Sequence, residues 1–369
     1  MQFKSVVGQQ ALKKNLILGV KSGRISHAQL LCGSEGQGTL ALAVAYAQYL
    51  NCENPGDDDS CGVCNACNKY QKLIHPDLHF TYPTIGANVL SANFMEEWRA
   101  AFLESPYFNS SQWLQRIGTE NKQGNITAAE THEIIRKLSL KMFEGPYKVL
   151  IMWLPEFLGK EGNVLLKLIE EPTDNTILLL VTEDRDKILS TIQSRTQIVQ
   201  LSRLSEEEVY NGLQLIYSLP SEQAATIAKI SDGNFNAAIA LIDEVENNFH
   251  EIFREWMLAC VKSQMKDVLS KIEEMNTLGR VQLKNLLCYG LYVMRACILY
   301  NNGVYKQIIA NTSDEPFISK FGQLINQKNI YPFAQEFSDA IYHIERNANP
   351  KITLLNLSLQ VEKLFKVKV

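Results

Sequence analysis

Surplus positive charge is absent from this chain. Its 369 residues hold 36 lysines and arginines against 40 aspartates and glutamates, a net charge of −4 with histidine neutral. That argues against a global basic field for nucleic acid and leaves room only for a local basic patch. Long apolar runs are absent as well. The longest, Leu40 to Leu50, is alanine-rich, carries Gln48 and is far too short to span a bilayer. The opening Met1-Gln2-Phe3-Lys4 lacks the apolar core of a secretory signal, so a cytoplasmic protein is expected. No internal repeat or low-complexity tract appears. A composition 46% hydrophobic and 21% charged is ordinary for globular protein, and the length suggests two or three domains.

The most telling absence is local. Gly33-Ser34-Glu35-Gly36-Gln37-Gly38-Thr39-Leu40 has the glycine frame of a phosphate-binding loop, G-x-x-G-x-G-K-[ST]. The lysine position holds Thr39 and the magnesium-ligand position holds Leu40. Backbone N–H groups of such a loop can still curl around an anion. The point charge for the terminal phosphates and the metal-binding hydroxyl are both missing. No nucleotide binding is therefore expected at the degenerate loop of Gly33, Gly36, Gly38 and Thr39.

What is present in excess is cysteine, eight in all. Cys32, Cys260, Cys288 and Cys297 stand singly in apolar segments and read as small buried hydrophobes. Cys52, Cys61, Cys64 and Cys67 are spaced C-x8-C-x2-C-x2-C. Thiolates at x2 spacing reach one tetrahedral ion, and four close the shell of a structural Zn2+ with no open position. Two disulfides are the alternative, which a reducing compartment disfavours, and redox cycling of a C-x2-C pair is another. His75 and His79 lie nearby but are not needed as ligands. The acidic stretch Asp57-Asp58-Asp59 in the long gap reads as solvated.

Along the chain, residues 28–33 read as a buried strand entering the glycine loop and residues 39–50 as the helix after it. A second strand is expected at 79–82. Residues 84–124 lack strand signals, and the spacing of Phe94, Trp98, Phe102 and Leu103 suggests an inserted helical excursion whose aromatics, through Trp113, serve packing. A helix at 127–142 precedes the apolar run 148–154, which has the length of a parallel strand covered on both faces. Residues 163–172 read as a helix stopped by Pro172, 176–182 as another buried strand, 191–196 as a short helical turn and 197–201 as a last strand. Strands alternating with helices imply a parallel α/β sheet. After residue 202 no strand is expected. Ser205-Glu206-Glu207-Glu208 opens a helix with acids in its first turn, and residues 205–246 make about three short helices around the turn Asp232-Gly233-Asn234. From about 248, long apolar helical patterns alternate with polar breaks at 275–280, 311–316 and 347–351. The fold class expected is α/β followed by all-α.

Several of these residues together resemble a known family, the clamp-loader subunits of bacterial replicative DNA polymerase III within the AAA+ superfamily, and among them the delta-prime type. Val7-Gly8-Gln9 opens the chain as in those proteins, and His27-Ala28 precedes the first strand. The four-cysteine spacing is similar to the family's zinc module. Asn163 to Pro172 matches N-x-L-L-K-x-x-E-E-P, a highly specific run. Thr191-Ile192-Gln193-Ser194-Arg195-Thr196 resembles T-I-x-S-R-C, with Thr196 for the cysteine, and Arg346 to Lys351 resembles the collar-domain signature. The resemblance implies three domains: 1–202, AAA+ α/β with a zinc module (52–67) and the excursion (84–124); 203–247, a small helical lid; and 248–369, a helical collar for oligomerisation.

The departures from the family pattern carry the functional implication. Hydrolysing relatives follow the strand near 152 with D-E-x-[DH], which holds magnesium and polarises water. Trp153 and Leu154 stand there instead, and Glu156 does not easily replace both. Four missing groups at one site argue against hydrolysis in cis, because phosphoryl transfer depends on positioning and charge neutralisation. Asn236, where a second-sensor arginine is expected, agrees. Arg195, with Ser194 positioning it, is implied to act in trans as an arginine finger on a neighbouring subunit's ATP, a role suited to a planar, permanently charged guanidinium. Without that resemblance it reads as a surface arginine in an ion pair. Implied partners are the gamma/tau ATPase and delta subunits, with sliding clamp and primer-template DNA reached through the assembled complex. Two other functions compete: an active AAA+ motor subunit of the same loader, opposed by Thr39, Leu40, Trp153 and Leu154, and a zinc-containing nucleic-acid-binding adaptor, opposed by the acidic charge and the lack of basic–aromatic clustering.

Overall fold

Five short runs become the strands of one parallel sheet: β1 (Ala28–Cys32), β2 (Leu78–Thr81), β3 (Lys148–Trp153), β4 (Thr176–Thr182) and β5 (Gln197–Gln200). Their order is β2-β3-β4-β1-β5, so the first strand is flanked by the fourth and the fifth. The computed structural model describes residues 1–86, 89–118, 124–242, 249–302 and 315–366. It divides into two compact units, Met1–Gly212 with Gly233–Asn236, and Leu213–Asp232 with Ala237–Val369. The α/β class followed by an all-helical region is as expected.

In the first unit, β1, β3 and β4 are buried along their whole length, which explains their nearly unbroken apolar sequences. One face of the sheet packs Leu30, Leu150, Met152 and Leu178 against Ile134 and Leu138 of the Ala128–Ser139 helix. The other face takes the Thr39–Leu50 helix, and Gln29 of β1 reaches its Tyr46 hydroxyl at 3.3 Å. Every residue of that helix is buried, so its sequence is apolar all round and shows no amphipathic stripe.

Two expected helices are shorter than their sequence patterns. The helix expected over 127–142 ends at Ser139. Lys148 Nζ binds the carbonyls of Leu138 and Leu140, and the Asp77 carboxylate then collects the N–H groups of Phe143, Glu144 and Gly145 at 2.7–2.9 Å. Those side chains offer the backbone a better set of partners than another helical turn. Residues 163–172 are regular α-helix only over Leu166–Glu170. The Pro155–Leu165 segment before it is tighter 3-10 helix, broken where Gly159 takes φ +53°.

The excursion after β2 carries helices at Met95–Glu104 and Ser110–Ile117, and an antiparallel bridge between Thr84 and Asn125 closes its base. Residues 119–123 of it lie outside the described residues. Trp98 and Trp113 are almost fully buried, and Trp98 stacks on Tyr82 with ring centres 4.0 Å apart and packs against Trp153 at 5.3 Å. Leu103, which shares the helical spacing, is 59% exposed. Phe102, one residue before it, takes the inward position on that helix.

The described residues of the second unit form helices and the turns between them, with no strand. Phe253, Trp256, Phe333 and Phe337 form its aromatic centre, and the Trp256 indole donates to Ser358 Oγ at 2.9 Å. Gly290, midway along the Gly279–Asn301 helix, lets that helix approach, since a Cβ there would sit 2.5 Å from Phe337. Asn349 caps the last helix, Pro350–Phe365, by accepting from the N–H groups of Lys351 and Ile352, with proline at the first helical position. The polar breaks at 275–280 and 347–351 fall between helices. Residues 311–314 of the third break and the 247–248 domain boundary lie outside the described residues.

Candidate functional site: the glycine loop, Arg195 and the cysteine cluster

The glycine loop leaves the C-terminal end of β1, an interior strand between β4 and β5, at the sheet end where ligands bind in open parallel sheets. Gly36 and Gly38 take φ +76° and +83°, the left-handed backbone a phosphate loop requires. The space such a loop would offer is occupied. Gln37 folds back so that its Oε1 accepts from Ser34 N–H at 3.1 Å, which takes a donor meant for an anion. Asn234 packs against Gly36, and Phe235 N–H donates to the Gly36 carbonyl at 3.1 Å. Tyr107, from the excursion, lies against Gly38, receives the Val7 N–H on its hydroxyl at 2.8 Å and packs on Phe235 at 4.7 Å. Thr39 and Leu40 are buried in the helix start.

Charge at this cleft has the wrong sign for phosphate. Glu35 stands in the loop itself, accepting from Asn236 Nδ2 at 2.9 Å and Asn234 Nδ2 at 3.4 Å. Glu156 follows β3 and Glu183 follows β4. Glu156 Oε1 accepts from Thr182 Oγ1 at 2.9 Å and Glu183 N–H at 3.0 Å, while its buried Oε2 has no hydrogen-bond partner among the described residues. Burial raises the Glu156 carboxyl. Burial, then the charges of Glu35 and Glu156, push Glu183 up to about 8 against a weaker opposing pull from Lys187. Trp153 and Leu154, in the positions of the metal-binding acids, are 2% and 1% exposed. The lysine, the hydroxyl and the paired acids of a magnesium–phosphate site are replaced by Thr39, Leu40, Trp153 and Leu154.

Arg195 lies apart from these groups, between the Ser190–Gln193 turn and β5. Its side chain is 37% exposed. Nε donates to Glu170 Oε1 at 2.5 Å, and Nη1 to the Thr191 carbonyl at 3.0 Å and to Ser194 Oγ at 3.4 Å. The two segments that carry this pair both rest on the sheet core through Ile169 and Ile192.

The four clustered cysteines do converge. Their sulfurs all lie within 4.8 Å of one another, with Cys61 and Cys67 Sγ 3.9 Å apart, and none is in a disulfide. Four thiolates about 2.3 Å from one ion would stand about 3.8 Å apart, so the donor set fits a tetrahedral zinc ion. Backbone N–H groups also point at the sulfurs. Cys61 N–H points to Cys52 Sγ at 3.2 Å, Cys64 N–H to Cys61 Sγ at 3.3 Å and Cys67 N–H to Cys64 Sγ at 3.4 Å, the last as the N-cap of the Asn65–Gln71 helix. The N–H groups of Val63 and Cys64 draw the Cys61 thiol down to about 6, whereas burial pushes Cys52 and Cys67 up. A bound cation would deprotonate all four.

Neither histidine joins the cluster. His75 packs on Tyr70 and faces the Glu144 carboxylate at 3.3 Å. The acidic stretch is not merely solvated: Asp59 accepts from the N–H groups of Phe3 and Lys4, and Asp57 pairs with Lys21, so this loop ties down the start of the chain. Sequence reasoning missed Tyr107, Gln37, Asn234 and Glu170. Gln37, inside the glycine loop, and Glu170, inside the E-E-P run, sat in motifs that could have marked them.

A family model described as DNA polymerase III, delta subunit matches residues 8–205. The DNA polymerase III subunit gamma of Buchnera aphidicola subsp. Schizaphis graminum is 27% identical over 246 residues, 65% of this chain and 57% of that protein. The DNA polymerase III subunit delta' of Escherichia coli K12 is 25% identical over 231 residues, 62% of this chain and 58% of that protein. The tau subunit of the same bacterium is 26% identical over 248 residues, 66% of this chain and 32% of that protein. The chain spans less than three fifths of the length of these curated relatives.

Proposed function

This chain belongs to the DNA polymerase III delta subunit family, and on that premise we propose that it is a non-hydrolysing subunit of a replicative clamp loader. In this reading it is of the delta-prime type, a rigid scaffold that supplies Arg195 to a neighbouring ATPase subunit. The observation that carries the reading is the cleft: Thr39, Leu40, Trp153 and Leu154 replace all four groups of a hydrolytic site, and Gln37, Asn234 and Tyr107 fill the space beside them. Its relatives include both gamma/tau and delta' proteins, so this local chemistry is what separates the scaffold from the motor.

The chain works as a cytoplasmic protein with gamma/tau and delta as partners, and reaches sliding clamp and primer-template DNA through the assembly. No helix among the described residues is long and apolar enough to cross a membrane. In this reading residues 203–247 are a small helical lid and residues 248–369 the oligomerising collar. Cys52, Cys61, Cys64 and Cys67 hold one structural Zn2+, which supplies cross-linking and no chemistry of reaction. The residues themselves act by electrostatics: Arg195, ordered by Glu170 and the Thr191 carbonyl, adds positive charge where a partner's terminal phosphate develops its own negative charge.

Two measurements test the reading. Calorimetry on the purified chain should show no ATP binding in the micromolar range, and Thr39→Lys alone should not create an ATPase. In the loader reconstituted with its ATP-hydrolysing subunits, Arg195→Ala should assemble normally yet lower the DNA-stimulated rate, since a finger in trans contributes roughly 10³–10⁵ at one site. The loss over the whole complex is smaller, because other interfaces keep their own arginines. Arg195→Lys should rescue poorly, as an ammonium lacks the planar fork. Micromolar ATP affinity would return the motor reading, and equal rates for all three proteins would make Arg195 an ordinary surface residue.

A further inference from the structure

We infer that Glu170 is the positioning residue for Arg195, anchoring one edge of its guanidinium while sparing the nitrogen that meets an anionic partner; this rests on reading Arg195 as a finger acting in trans. The contact is one-armed. Glu170 Oε1 takes Nε at 2.5 Å, the Thr191 carbonyl takes Nη1 at 3.0 Å, and Nη2 makes no hydrogen bond among the described residues. A two-armed carboxylate clamp would engage Nε and Nη2 together and leave the arginine little capacity for phosphate. Arg136 shows that arrangement in the same protein: its Nε and Nη2 both bind Glu133, each at 2.7 Å. Arg195 departs from it in the way a presented donor requires.

The anchor is itself firmly built. Glu170 closes the Leu166–Glu170 helix, where Glu171 N–H returns to the Lys167 carbonyl and the Ile169 carbonyl meets His27 Nε2 at 2.9 Å. Ile169 is 2% exposed, as is Ile192, which fixes the turn that carries Thr191. With 37% and 47% of the two side chains exposed, the ion pair contributes little to folding. Its effect is on ordering. A free arginine samples many rotamers, and one already held at two nitrogens loses less freedom when it meets phosphate.

The test uses the loader reconstituted with its ATP-hydrolysing subunits and measures DNA-stimulated steady-state ATPase. Four forms of this chain enter: wild type, Glu170→Ala, Arg195→Ala and the double variant, with Glu170→Gln as the conservative control. Glu170→Ala should lower turnover at the one site that Arg195 serves roughly two- to tenfold, the worth of ordering one rotamer-rich side chain, with a smaller loss in the rate of the whole complex that does not exceed that of Arg195→Ala, and leave KM for ATP nearly unchanged. Glu170→Gln keeps an oxygen acceptor for Nε and should retain most of the rate. In the Arg195→Ala background, Glu170→Ala should change nothing further, because there is no finger left to place. Equal losses in both backgrounds would mean that Glu170 merely supports the fold. A wild-type rate for Glu170→Ala beside a slow Arg195→Ala would overturn the positioning role and leave the finger standing. A wild-type rate for Arg195→Ala would overturn both.

Discussion

The Thr39–Leu50 helix has a ligand-type motif at each end, and the two have had opposite fates. At its N-terminus the Gly33–Gly38 loop keeps its backbone frame, with Gly36 and Gly38 in left-handed conformations, but its ligand side chains are gone and its space is filled by Gln37, Asn234 and Tyr107. Just past its C-terminus, Cys52 begins a cluster whose four sulfurs converge within 4.8 Å. Backbone shape has a use as a packing solution apart from binding, because the turn has to connect β1 to the helix. A donor set has no such second use. Four free thiols brought together in one spot, two of them pushed up by burial, make a donor set that fits a tetrahedral cation.

That contrast predicts its largest effect at the cysteines. Cys67 is fully buried, and Cys67→Ser removes one ligand while leaving a small polar group in its place. The wild-type chain should carry one equivalent of zinc by metal analysis, and the variant less than half. If the cluster holds zinc, metal binding contributes to folding, so the variant should lose more than about 4 kcal/mol by denaturant unfolding, with chelator reproducing the loss in wild type. Less than half an equivalent of zinc in wild type, with freely reactive thiols, would erase the difference between the two ends of the helix.

The glycine loop should answer a substitution as a packed turn does. A Cβ on Gly36 would run into the Asn234 side chain and stand 2.6 Å from the Phe235 backbone nitrogen, besides straining φ. Gly23 has a similar φ, +65°, with nothing within 4 Å of its Cβ position, and so isolates the strain from the clash. Gly36→Ala should therefore cost about 2–4 kcal/mol and Gly23→Ala about 1 kcal/mol, read as shifts in denaturant midpoint. Comparable costs would show that the loop is open after all. ATP should protect neither variant.

Most of the α/β unit was legible because parallel strands buried on both faces must be apolar along their length, and β1, β3 and β4 are. The cysteine cluster was legible for a related reason, since a metal needs its ligands close and local spacing reveals them. Helix ends were less so. Nothing local in residues 140–145 shows that Asp77, far back in the chain, will claim three of their N–H groups. The filling of the cleft was illegible for the same reason. Tyr107 and Asn234 reach Gly38 and Gly36 from segments far away in sequence, and neither belongs to a motif. Arg195 was read in sequence both as a finger and as half of an ion pair, and the structure shows the ion pair, with Glu170.

The smallest effect sharpens the comparison through charge. A cleft that binds a magnesium–nucleotide complex needs ionised acids, whereas Glu183 is held near 8 by burial and by the charges of Glu35 and Glu156. An acid whose folded value lies above its ordinary 4.5 binds more protons folded than unfolded between the two. Native stability therefore falls as pH rises through that window; below it the group is neutral in both states, and above it the full penalty is present. Glu183→Gln stays neutral throughout and escapes the penalty. The stability of Glu183→Gln relative to wild type should thus rise from about pH 5 to about pH 8 by about 1 kcal/mol, trimmed from the full linkage value because the side chain is only half-buried. Any loss of fit from the amide shifts the whole curve by a constant and leaves its slope intact, so melting curves across that range decide the matter. A difference that stays flat with pH would mean Glu183 is ionised in the folded protein. The cleft would then retain the carboxylate of a cation site, and the filled loop and the cysteine cluster would be less unlike than the side chains around them imply.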